Sequence, residues 1–132
     1  MLKFCYGGEK ITTTIGLKIN KMTFNNYQTN ASRTAFYPRE FQNQGLYYTT
    51  LGLVGEAGEI ANKVKKIMRD TNGKLEEINK ADIFDELGDV LWYCASLADE
   101  LGVNLEDVAK CNLIKLEDRM NRGKIQGSGD KR

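Results

Sequence analysis

The chain is 132 residues long, room for one compact domain and not for two ordinary ones, so a functional site must fit in a single core or between copies of it. With 41% hydrophobic and 28% charged residues and one proline, the composition excludes disordered, collagen-like and proline-rich classes and leans to a helical globular protein. Histidine is absent, which removes Ser-His-Asp and Cys-His catalysis and every histidine-containing metal site, and leaves carboxylates to carry any metal.

The net charge of +1 hides a split: residues 1–21 carry +3, residues 22–118 carry −6 and residues 119–132 carry +4. An acidic middle with a basic tail suits an anionic substrate held against acid-bound cations, and no nucleic-acid partner is expected. Cys5, Cys94 and Cys111 are odd in number and lack paired spacing, so they read as free, buried thiols. Without a signal peptide or a run of eighteen apolar residues, the expectation is a cytoplasmic protein with no membrane association.

Residues 1–21, rich in Thr, Ile and Gly, read as an N-terminal extension in which Gly7-Gly8 could close a weak hairpin; Met22 is a candidate second start of translation. Thr23 then caps a first helix whose stripe is Phe24, Tyr27, Ala31 and Ala35, ending before Pro38. From Gln44 to Arg69, Leu46, Leu53, Ala57, Ile60, Val64 and Ile67 recur at helical spacing, and Asn72-Gly73 makes the turn. A third helix runs from Asn79 to Leu101, with Asn79 and Asp82 as a capping pair, a stripe of Ile83, Leu87, Val90, Cys94, Leu97 and Leu101, and Gly102 as its stop. Asn104 and Asp107 cap a fourth helix carrying Leu105, Val108, Ile114, Leu116 and Met120, which gives way at Gly123. These elements predict an all-α helical bundle with residues 22–122 as its domain and 123–132 as a basic, glycine-containing tail. The second and third helices should be the longest and pack antiparallel, and the apolar character of the third around its circumference (Phe84, Leu91, Ala95 and Ala98 lie off the main stripe) predicts a homodimer or homotetramer.

Glu56 with Glu59, and Glu86 with Asp89, are acidic pairs three residues apart, a spacing that puts both carboxylates on one side of a helix. Three such pairs, counting Asp82 with Asp85, is about what chance gives among 18 acids, so the spacing alone does not separate a site from solvated surface. Two features add weight. Both pairs border the apolar stripe of their helix, which places them at a bundle seam, and Gly52 and Gly55 fall on the carboxylate side, as where a ligand needs room. Four facing carboxylates would repel and take raised pKa values unless cations neutralise them, and Mg²⁺ suits oxygen ligands of this kind. Lys63 and Lys66, one and two turns farther on, could meet a phosphate or simply solvate the helix end.

The segments Gly52-Leu-Val-Gly-Glu-Ala-Gly-Glu59 and Asp85-Glu-Leu-Gly-Asp-Val-Leu-Trp-Tyr93 resemble the MazG-like all-α nucleoside triphosphate pyrophosphohydrolases, whose pattern is E-x-x-E followed by E-x-x-D. The likeness extends to Tyr27-Gln28, Ala35-Phe-Tyr-Pro38 and residues 112–130, and so covers about residues 22–132. It implies a helical bundle of the all-α NTP pyrophosphatase type, assembled as an oligomer. It also implies Mg²⁺-dependent cleavage of an NTP or dNTP between the α- and β-phosphates to a monophosphate and pyrophosphate, with Mn²⁺ able to substitute. By the same resemblance Glu56, Glu59, Glu86 and Asp89 would be metal ligands and Glu59 the general base. Asn112, Lys115, Arg119 and Arg122 would grip phosphates from one face of the fourth helix, or form an ordinary basic surface; Trp92 could stack on a base or belong to the core. The Gly127-Ser-Gly129 segment could wrap the nucleotide with backbone donors. The alternatives are a phosphoribosyl-ATP pyrophosphohydrolase and a non-catalytic helical module that binds a nucleotide or alarmone.

Overall fold

The computed structural model describes residues 22–72, 74 and 80–126, which form four helices and no strand: α1 Phe24–Ala31, α2 Gln44–Thr71, α3 Lys80–Glu100 and α4 Leu105–Asn121. The extension at 1–21, Asn79 and with it the capping pair it would form with Asp82, and the Gly127-Ser-Gly129 segment lie outside the described residues.

Thr23 opens α1 in the extended region and its hydroxyl accepts from the Asn26 N–H at 3.1 Å, an N-cap that satisfies one of the orphan donors of the first turn. The helix ends earlier than the stripe through Ala35 predicts. Ser32 and Thr34 donate their hydroxyls to the Thr29 and Ala31 carbonyls, at 3.0 and 2.9 Å, and the chain tightens into a 3₁₀ turn over Ser32–Thr34.

The 28-residue α2 is the longest element and ends on Asn72 in the left-handed region, as the turn signal predicts. Its main neighbour is α3, 21 residues long. A Cβ on Gly45 would meet the Glu100 carboxylate, and one on Gly52 would meet the Tyr93 ring, so the two helices run antiparallel in one defined register. Fully buried Thr49 and Ser96 lie along the same stretch and keep that seam narrow. Where α3 ends, the Gly102 N–H bonds to the Asp99 carbonyl and the Val103 N–H to Ala98, both at 3.0 Å, with Gly102 at φ 67°: a Schellman motif that needs glycine. Gly123 ends α4 in the same way.

The first turn of α4 departs from the expected cap. Asn104 bonds side chain to side chain with Asp107 at 3.2 Å and gives the helix no side-chain cap. Buried Gln28, from α1, takes that place. Its Oε1 accepts the Leu105 N–H at 2.7 Å, and its Nε2 donates to the Asp99 carboxylate at 2.6 Å and the Val103 carbonyl at 3.0 Å, tying α1 to the α3–α4 corner.

The core around this corner is small: Ala31, Ala95, Ala98 and Leu105, with Tyr27, Trp92 and Cys94 packed on it. Several positions predicted to face inward do not. Val64 is 40% exposed, Leu87 and Leu101 57% each, and on α4 Val108, Ile114, Leu116 and Met120 are exposed as well. The helix α3 turns the row containing Glu86, Tyr93 and Glu100 to α2, leaving Leu87 and Leu101 at the flank. Cys111 is exposed and Cys94 half-buried, both as free thiols, so burial does not account for Cys111.

Candidate metal centre

The register that opposes Gly45 to Glu100 and Gly52 to Tyr93 brings Glu56 opposite Asp89 one turn farther along. Glu56, Glu86 and Asp89 each present a carboxylate oxygen within 4.8 Å of the others, Glu56 and Glu86 half-buried and Asp89 exposed. Glu59 is exposed and outside that group, although its charge still reaches Glu56. Three of the four acids singled out by spacing are therefore gathered by packing, and the fourth stands at the rim.

Electrostatics divides the group. Burial, then the charge of Asp89, then a hydrogen bond with Glu86 push the Glu56 carboxyl above the usual carboxylate range, as crowding of acids predicts. Glu86 moves the other way, because Lys63 donates to its Oε1 at 2.6 Å and holds it below that range. Uniformly raised acids are thus not what the seam contains. The ammonium of Lys63, read as meeting a phosphate or solvating the helix end, lies on a carboxylate from the opposite helix.

The glycines also divide. The space at Gly52 is taken by the Tyr93 ring, so this glycine serves helix packing and leaves no room for a ligand, whereas a Cβ at Gly55 would meet nothing within 4 Å. Tyr93 stands edge-on to Trp92 at 4.9 Å and tilted against Tyr48 at 6.3 Å; Tyr37 stacks on Tyr48 at 5.0 Å. Trp92 itself is half-buried against the alanine core, and its indole N–H donates to the Thr34 hydroxyl at 2.8 Å.

One residue that spacing did not single out for the site feels its charge. The Tyr27 phenol is raised first by burial and then by the charge of Asp89. Its place in the α1 stripe marks it as inward-facing, but nothing in one helix's periodicity aims it at Asp89. Tyr27 also lines an open, apolar cavity of about 230 Å³ with Met22, Thr23, Phe24 and Leu91.

The cationic residues are dispersed. Lys66 is exposed and lends its charge to Asp70. Asn112 and Lys115 line a groove of about 470 Å³ with Val103, Asp107, Val108 and Cys111, which contains none of the four acids. Arg119 is buried, and Arg122 grips Asp118 through Nε and Nη2 at 2.9 and 2.7 Å. Among the described residues, no helix is long and apolar enough to cross a membrane.

Residues 44–123, which contain all four acids, match the family model of the MazG nucleotide pyrophosphohydrolase domain. The chain is 56% identical over 109 residues to the Gene 37 protein of Mycobacterium phage L5, a match covering 80% of this chain and 96% of that protein. It is 42% identical over 72 residues to the uncharacterized protein YvdC of Bacillus subtilis strain 168, covering 51% of this chain and 68% of that relative. No solved structure matches the chain.

Proposed function

The chain belongs to the MazG nucleotide pyrophosphohydrolase family, and on that premise we propose that it hydrolyses nucleoside or deoxynucleoside triphosphates between the α- and β-phosphates, with Mg²⁺ as cofactor. The observation that carries this reading is the convergence of Glu56, Glu86 and Asp89 from two antiparallel helices. Three carboxylates, with no histidine or thiol among them, suit a hard cation such as Mg²⁺ or Mn²⁺.

In this reading Glu56, Glu86 and Asp89 hold the metal and Glu59 adds a fourth carboxylate from the rim. Bound there, the metal supplies neutralisation of phosphate charge and activation of water. Glu59, exposed and one turn from Glu56, would accept the proton that the attacking water loses. Lys63 and Lys66 would approach the phosphate chain from α2, and Asn112, Lys115 and Arg122 would meet it from α4, where Arg119 is buried. Trp92 belongs to the aromatic wall against which the base rests. The working form is a homodimer or homotetramer.

Pyrophosphate release from each NTP and dNTP, read with added inorganic pyrophosphatase and with or without Mg²⁺, tests the proposal. Activity that needs the metal and falls by more than about a hundredfold in Glu56→Gln is expected. A folded protein that turns over none of these substrates would sink it, and turnover of phosphoribosyl-ATP alone would move it to the histidine-biosynthetic branch.

A further inference from the structure

Lys63 lies two turns from Glu56 on α2, and its ammonium reaches across the seam to Glu86 Oε1 at 2.6 Å. Glu86 belongs to the carboxylate group whose oxygens lie within 4.8 Å of one another, and the same side chain hydrogen-bonds to Glu56. A positive charge therefore already sits on the group that a divalent ion would use. An ammonium and a divalent cation compete for the electron pairs of one carboxylate, and they repel each other at that range. The lysine is built to yield. Its side chain is 30% exposed and its flexible four-carbon stem can swing outward without disturbing the helix.

We infer that Lys63 is a displaceable counter-ion of the metal centre, neutralising Glu86 until a divalent cation binds and then turning its ammonium out toward the substrate phosphates. This rests on the metal-centre reading above and goes beyond it, because it gives Lys63 two successive partners and makes it a determinant of metal affinity. The opposite role is also chemically reasonable: a lysine that stays on Glu86 and orients it would strengthen metal binding. The two roles predict opposite signs.

Acetylation of the intact parent chain with an N-hydroxysuccinimide ester, read by peptide mass spectrometry, separates them without any substitution. Displacement raises Lys63 labelling severalfold on saturation with Mg²⁺, while Lys110, paired with Glu106 at 2.8 Å away from the acids, serves as the reference and stays constant. Unchanged or reduced labelling of Lys63 overturns the inference. Calorimetric Mn²⁺ titration gives the second readout: Lys63→Met, with Lys63→Gln as a second variant, should bind Mn²⁺ roughly three- to tenfold more tightly than the parent. Equal or weaker binding overturns it. Glu86→Gln is the control for the underlying reading. If that variant binds Mn²⁺ as the parent does, the metal centre itself is misassigned and the inference falls with it; if Glu86→Gln binds weakly and only the Lys63 variants fail to tighten, the metal centre stands and the counter-ion role alone is lost.

Discussion

Burial and the charge of Asp89 push the Glu56 carboxyl up, whereas the Lys63 ammonium holds Glu86 down, so these neighbouring acids respond oppositely to the loss of a charge. Asp89→Asn removes a repulsion and should raise the thermal midpoint of the metal-free protein. Glu86→Gln removes the carboxylate on which the Lys63 ammonium sits and should lower it. Both variants should lose most of the midpoint rise that Mg²⁺ gives the parent, because a ligand bound only by the folded state stabilises it. Glu59→Gln, at an exposed position, should change metal-free stability by no more than about 0.5 kcal/mol while abolishing pyrophosphate release. Melting curves with and without Mg²⁺ check all three, and shifts of the same sign in Asp89→Asn and Glu86→Gln would contradict the electrostatic account. A second cluster governs pH dependence. Tyr37 donates to Glu100 at 2.7 Å, Arg39 donates to the same oxygen at 2.8 Å, and the Arg39 guanidinium lies 4.1 Å over the Tyr37 ring. Burial, reinforced by the bond to Glu100, pushes the Tyr37 phenol from 10.0 up to about 12. The folded state thus keeps a proton that the unfolded chain releases, so the stability from this group is full below pH 10.0 and is lost as the pH climbs toward about 12. Burial opposes ionisation of Glu100, but the bonds from Tyr37 and Arg39 outweigh it and lower the carboxyl, so its contribution is present above the ordinary value of 4.5 and is lost as the pH falls below it. Tyr37→Phe should cost about 1 kcal/mol near neutrality and flatten the alkaline limb, read as urea midpoints across the pH range.

At the scale of the helices, the register of α2 against α3 rests on two glycines that a helix would otherwise disfavour. Gly52→Ala sets a methyl group against the Tyr93 ring, an overpacking cost of about 1–3 kcal/mol against about 1 kcal/mol of helix propensity regained, so it should destabilise. Gly55→Ala meets nothing within 4 Å and should stabilise by up to about 1 kcal/mol. Equal gains at both sites in urea denaturation would mean that Tyr93 does not fill the Gly52 gap. Much of this architecture is legible from local chemistry. Thr23, Gly102 and Gly123 mark helix ends because a cap or a left-handed φ is decided within a few residues. What is not legible depends on partners far along the chain. Gln28 caps α4 from 77 residues away, and no local pattern separates it from a surface glutamine. The acids follow the same division. Their three-residue spacing names the candidates, but which of them meet, and that Lys63 lands on Glu86, depends on a register between two helices that neither helix contains alone.

For the molecule as a whole, the small core sets the terms. Among the described residues only Ala31, Tyr37, Ala95, Ala98 and Leu105 are buried apolar side chains, while Leu51 is 73%, Val54 67% and Met68 65% exposed on α2, and Leu113 and Ile114 are 67% and 65% exposed on α4. Tyr47, Leu51, Val54, Gly58, Ala61, Lys65 and Met68 fall on one stripe of α2 at alternating three- and four-residue steps, uncharged but for Lys65, on the side away from the Thr49, Gly52 and Glu56 row that faces α3. A helix apolar on two opposite sides needs two partners, and among the described residues its main neighbour is α3. A second copy of the same stripe is a self-complementary partner, with Gly58 and Ala61 at its middle allowing close approach. Sedimentation should therefore give a dimer or tetramer at micromolar concentration, and Leu51→Asp should dissociate it. Each buried leucine contributes about 2 kcal/mol and a twofold interface counts the change twice, so the dissociation constant should rise about a thousandfold. Because Leu51 lies on the side opposite Glu56, the isolated variant chain should still show the Mg²⁺-dependent midpoint shift that marks the acids. A parent chain that sediments as a stable monomer would leave the apolar back of α2 without this explanation, and a Leu51→Asp protein that keeps its assembly would move the interface to α4.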